Sequence, residues 1–107
     1  MTDREHLKWY ILSAVSPFYE NISGIESGVR TWSEEDGYSF TIVEVRSALE
    51  ELIASGLVNS WRLASNSPEN ARVNYDSDQI GKLWFLISSS GQELLESLDK
   101  KLRGSQT

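Results

Sequence analysis

The chain has no cysteine among its 107 residues. That absence excludes disulfide scaffolds, Cys-ligated zinc sites and thiol catalysis. Histidine occurs once, at His6. No second His or Cys stands at metal-ligand spacing from it, so no metal centre is expected. The sequence also shows no Ser/His/Asp order and no glycine-rich loop that would cradle a phosphate. Glu50 and Glu51 are adjacent, and so point to different azimuths on a helix, which is poor geometry for shared acid–base work. Neither an enzyme nor a cofactor is expected. No apolar run approaches the roughly 18 residues that a membrane helix needs. Met1-Thr2-Asp3-Arg4-Glu5 opens the chain without the apolar stretch of an export signal. A cytoplasmic protein with no membrane contact is the expectation.

Basic residues are scarce as well. Ten Lys and Arg against sixteen Asp and Glu leave a net charge of −6. Residues 1–40 hold three basic and seven acidic groups, so the acidity sits in the first third. Nucleic-acid modules draw much of their affinity from neutralised phosphates, and this balance works against long-range attraction.

With 39% hydrophobic and 24% charged residues, the composition is that of a folded chain. Its length fits one domain, expected over 1–107, with a core that needs no staples. Thr2 to Glu5 has the form of a capping box. Leu7, Ile11, Ala14 and Val15 then share one helical face, and Ser16-Pro17 should end the helix. Phe18, Ile22, Ile25 and Val29 are spaced for a second helix from Phe18 to Trp32. Ser33 to Gly37 reads as a turn.

The clearest local signal follows. Thr41 and Glu44 form a capping box, and Phe40 and Val45 a hydrophobic staple. Ile42, Val45, Leu49, Leu52 and Ile53 make one apolar stripe. Gly56 stands where a left-handed cap belongs, with Leu57 placed to fold back. A helix from Ile42 to Ser55 is predicted. Leu57–Leu63 and Lys82–Ser88 are short, aromatic and β-branched, and read as two strands. Between them Ala64 to Asp78 reads as a long polar surface loop. Ser90-Gly91-Gln92-Glu93 has the form of a third capping box. It would open a last helix carrying Leu94, Leu95, Leu98 and Leu102 on one side.

Two stretches resemble winged helix-turn-helix domains. Ala48-Leu49-Glu50-Glu51-Leu52-Ile53-Ala54-Ser55-Gly56-Leu57-Val58 looks like the end of the third helix and the first wing strand of that superfamily. Phe85-Leu86-Ile87-Ser88-Ser89-Ser90-Gly91 is similar to its second wing strand and following helix cap, an aromatic, Leu or Ile, then Thr-x-x-Gly. PadR-like and MarR-like bacterial regulators share both pieces, and the resemblance spans about Glu5 to Leu102. It implies an α+β winged helix: a three-helix bundle, a two-stranded wing hairpin with a long loop, and a C-terminal helix. It also implies a transcriptional regulator that binds duplex DNA through helix 42–55 and the wing, acting as a homodimer.

Carried over by position, Thr41, Arg46 and Ser47 fall on the groove-facing helix, Arg72 on the wing, and Arg30 nearby. Arg46 is the one residue of that face able to offer guanine a two-pronged donor. Val43, Glu44, Glu50 and Glu51 share the face. As a plain solvated surface, Arg46 would instead pair with Glu50 four residues on.

Trp84 and Leu86 alternate away from Leu83, Phe85 and Ile87, toward the far side of a two-stranded sheet. Either a third strand or a helix covers them, or they form a partner surface. Terminal helices of such regulators often pair across a dimer, which adds Leu98 and Leu102 to the expected interface. A second class of function stays open: an acidic winged-helix module that binds a protein partner and no DNA. A small-ligand sensor using the aromatic residues is a third reading.

Overall fold

The computed structural model describes residues 3–16, 18–62 and 71–103. The Thr2 cap, the Pro17 stop, Leu63 and residues 64–70 of the expected loop lie outside them. Helix α1 runs Asp3–Ala14, a short strand β1 Glu20–Asn21, and helix α2 Ile22–Glu35. Helix α3 (Ile42–Ala54) leads into strand β2 (Val58–Arg62). Strand β3 (Ala71–Val73), a 3-10 helix over Ser77–Lys82, strand β4 (Trp84–Ile87) and helix α4 (Ser89–Arg103) complete the order. The molecule is an α+β globule in which helices pack on one face of a four-stranded antiparallel sheet ordered β1-β4-β2-β3.

Helix α3 is held at both ends as its local sequence requires. The Thr41 hydroxyl accepts the Glu44 amide at 3.1 Å, and the Glu44 carboxylate accepts the Thr41 amide at 3.0 Å. At the other end Gly56 takes φ +74°. Its amide bonds to the Ile53 carbonyl at 3.0 Å, and the Leu57 amide to the Leu52 carbonyl at 2.9 Å. That pair of bonds is a Schellman closure.

Helix α4 starts one residue before the expected Ser90 cap. Ser88, not Ser90, receives the Gly91 amide at 3.0 Å. The same hydroxyl donates to the Gly56 carbonyl at 2.7 Å, so a tertiary bond selects among three consecutive serines. A Cβ on Gly91 would stand 2.0 Å from the Leu57 carbonyl oxygen. The end of α3 and the start of α4 therefore touch through backbone that tolerates no side chain.

The second helix departs further from expectation. Asn21 caps it, its side chain accepting the Gly24 amide at 2.9 Å, so the helix opens at Ile22. Phe18 falls before the helix and is 78% exposed, although its spacing matched the apolar stripe. Ile42 likewise leaves the predicted stripe and is about half exposed. The helix continues through Glu35, three residues into the expected turn, which closes at Gly37 with φ +83°.

The sheet is larger than the two strands read from sequence. β2 and β4 pair as expected, Val58 opposite Ile87 and Trp61 opposite Trp84. β1 adds along the free edge of β4, and β3 along the outer edge of β2. The inward residues Val58, Ser60 and Phe85 join Leu7, Ile11, Leu12, Val15, Ile25, Leu49 and Leu52 in one core. Ser60 is 2% exposed, and among the described residues its hydroxyl has no hydrogen-bond partner. Burying an unpaired hydroxyl costs about 1–3 kcal/mol.

Candidate functional site

The outward side of α3 is open to solvent. Val43, Glu44, Arg46, Ser47, Glu50 and Glu51 are all exposed, as the helical spacing predicts. Their charges are engaged in ways the sequence did not reveal. The Arg46 guanidinium pairs with Glu26 on α2 at 3.0 Å, not with Glu50 on its own helix. Glu50 instead accepts the Tyr75 hydroxyl at 2.9 Å, which ties the segment after β3 to α3. Burial, with the Glu50 carboxylate, pushes the Tyr75 phenol up to about 12. Glu51 turns toward α1, where it meets Arg4 and, at 3.8 Å, Lys8. The hydrogen bond from Arg4 holds the Glu51 carboxyl below its ordinary range.

The other sequence-predicted groove residues are not gathered with Arg46. Thr41 serves as the helix cap. Arg30 is exposed on α2, and Arg72 is exposed on β3, opposite Trp61 in the sheet register.

The expected interface residues separate into two sets. Trp84 and Leu86 are half-buried on the outer side of the sheet, with Trp61 beside Trp84 in register. Tyr19 packs edge-on to Trp61 at 5.5 Å between ring centroids. β1 lies alongside β4 within the plane of the sheet, so it protects an edge and not this face. Leu98 is buried in the chain's own core, and Leu102 is half-buried against it. Leu98 is thus a core residue here, not a surface offered to a partner.

A second feature was not located from the sequence: a cleft of about 600 Å³ between α1 and the end of α2. Trp9, Tyr10, Trp32 and Tyr38 form its walls, and Glu35 and Asp36 belong to its lining. Leu102 of α4 closes one side. His6 lies against Tyr38 with ring centroids 4.6 Å apart. The Trp9 indole N–H donates to Asp99 at 2.7 Å, and the Tyr10 hydroxyl to Asp36 at 2.5 Å. Burial, and then Asp36, raise the Tyr10 phenol well above its usual range. The four aromatics were visible in the sequence, but three distant segments supply the lining.

Among the described residues no group of three or more His, Cys, Asp or Glu side chains could hold a metal ion. None of the described helices is long and apolar enough to cross a membrane.

The arrangement defines a small α+β domain in which α3 is held at both ends with one side exposed, and in which aromatic residues line a cleft beside α1. No protein-family model matches the chain, and no curated protein matches it.

Proposed function

We propose that this domain is a winged-helix transcriptional regulator that binds duplex DNA through α3 and the hairpin side of the sheet, as a homodimer. The observation that carries the reading is the presentation of α3. Its first two turns keep one side open to solvent, with Val43, Glu44, Arg46 and Ser47 exposed and the helix fixed by caps at both ends. The element order supports it too: three helices with one early strand, an antiparallel pair with a long connection, and a last helix. Both resembling motifs have a physical role in that frame, since Gly56 closes α3 and Ser88 with Gly91 opens α4.

Charge is the opposing consideration, and local pairing reduces it. Glu51 is neutralised by Arg4 and Lys8. The Arg46–Glu26 pair is solvent-exposed on the arginine side, and such pairs contribute about 0–1 kcal/mol. A guanine edge, worth about 1–3 kcal/mol to a bidentate arginine, outcompetes that. The experiment is selection from a randomised duplex library at low salt, repeated with Arg46→Ala. One enriched motif, lost in the variant, is expected. No enrichment near roughly 50 mM salt overturns the reading, because phosphate contacts are strongest there.

A second reading is favoured by one observation. Trp61, Trp84, Leu86 and Tyr19 gather on the outer face of the sheet of a chain with net charge −6. In that reading the domain is an acidic interaction module whose partner is a protein, and the library selection returns nothing.

A further inference from the structure

We propose that the cleft between α1 and the end of α2 is a binding site for a small organic cation of the quaternary ammonium class. The inference rests on the cleft alone and stands whether or not α3 meets DNA.

Size permits a ligand, since about 600 Å³ lies within the range of small-molecule pockets. The chemistry of the walls selects its charge. Trp9, Tyr10, Trp32 and Tyr38 line it, and aromatic rings attract a cation electrostatically. Glu35 and Asp36 add two carboxylates, and among the described residues that line the cleft none is a lysine or arginine. Among the described residues, none of the ion pairs reaches either carboxylate. An anion would be repelled by that pair. A hard metal ion would need several converging oxygen ligands, and among the described residues no group of three or more His, Cys, Asp or Glu side chains could hold one. A quaternary ammonium is large and weakly hydrated, so an aromatic lining flanked by carboxylates suits it.

The walls are fixed before any ligand arrives. Asp99 anchors the Trp9 indole, and Asp36 anchors the Tyr10 hydroxyl. The raised Tyr10 phenol stays neutral through the physiological range, so this wall remains a donor and an aromatic surface. His6 against Tyr38, and Tyr38 stacked on Phe40 at 6.1 Å, steady the opposite wall. Such preorganisation reduces the ordering cost of binding.

The test uses choline and 3,3-dimethylbutan-1-ol, which has the same shape with carbon in place of the charged nitrogen. Four tryptophans give four indole N–H signals in a ¹H–¹⁵N spectrum. Choline is expected to shift those of Trp9 and Trp32 and to leave Trp61 and Trp84 in place. It should bind at least about tenfold more tightly than the alcohol. The exposed variant Glu35→Gln should weaken choline about threefold or more and leave the alcohol unchanged. Trp32→Ala should abolish the choline shifts, while Trp32→Phe, which keeps a ring face, should retain them. Equal affinity for the two compounds overturns the proposal. So do shifts centred on Trp61 and Trp84, or no shift up to about 50 mM choline.

Discussion

Arg46 on α3 reaches across to Glu26 on α2 and bonds its carboxylate at 3.0 Å. If α3 reads DNA as proposed, the arginine offered to a base is thus held by a neighbouring helix. Glu26→Gln removes the competitor and should raise affinity for a selected duplex. Arg46→Ala should lower it by about 1–3 kcal/mol. Few cations stand near α3, so the slope of log affinity against log salt should be shallow, about 0.9 for each phosphate neutralised. Neither substitution should change stability by more than about 1 kcal/mol in urea melts, because the pair is exposed.

The reciprocal cap at the start of α3 permits a cleaner stability measurement. Thr41→Ala removes the acceptor of the Glu44 amide and should cost about 1 kcal/mol. Thr41→Ser keeps the oxygen and should melt close to the parent. Overlapping urea curves for parent and alanine variant would show that the cap contributes nothing.

Gly91 stands where α4 presses on the Leu57 carbonyl. Gly91→Ala forces the two backbones apart and should destabilise the domain by about 1–3 kcal/mol, the usual effect of overpacking. The comparison is Gly81→Ala, where an added Cβ meets nothing within 4 Å. Equal melting of the two variants would mean that the close approach is absent in solution.

Tyr75 links stability to alkaline pH. Its phenol is raised to about 12 in the folded protein, against about 10 in an unfolded chain. The folded state therefore holds this proton more tightly. Its contribution is fully present below pH 10 and is lost as pH rises through about 12. Tyr75→Phe should remove an ionisation near pH 12 from the absorbance titration. It should also flatten the fall in stability between pH 10 and 12, read from urea melts across that window. Loss of a phenol that ionises near pH 10 instead would show that burial and Glu50 do not hold this proton.

Association is tested at Trp84. In the homodimer reading, light scattering should give twice the 12.1 kDa chain mass for the parent, and 12.1 kDa for Trp84→Glu. A parent that already runs at single-chain mass removes the interface from this face. Leu98→Glu is not an informative companion, because Leu98 belongs to the core and its substitution should unfold the chain.

The sequence shows most clearly what is decided within a few residues. Both ends of α3 were legible because caps are local chemistry, and Thr41, Glu44 and Gly56 act on their own helix. The Ser88 cap was misplaced because Ser88, Ser89 and Ser90 are locally equivalent, and only the Gly56 carbonyl distinguishes them. Phe18 fitted a helical spacing, but Asn21 starts the helix after it. β1 and β3 span two and three residues, and their pairing partners, not their composition, make them strands. The cleft was illegible for a related reason. Its residues carry no shared motif and meet only when α1, the end of α2 and the last turns of α4 come together.

The two outer helices meet at their far ends. Lys101 near the end of α4 bonds Glu5 near the start of α1 at 2.6 Å, and Asp99 bonds Trp9. A covalent link between these two helix ends would shrink the ensemble of unfolded conformations. The gain would come from the denatured chain, which loses freedom, since the native architecture already holds the two ends together.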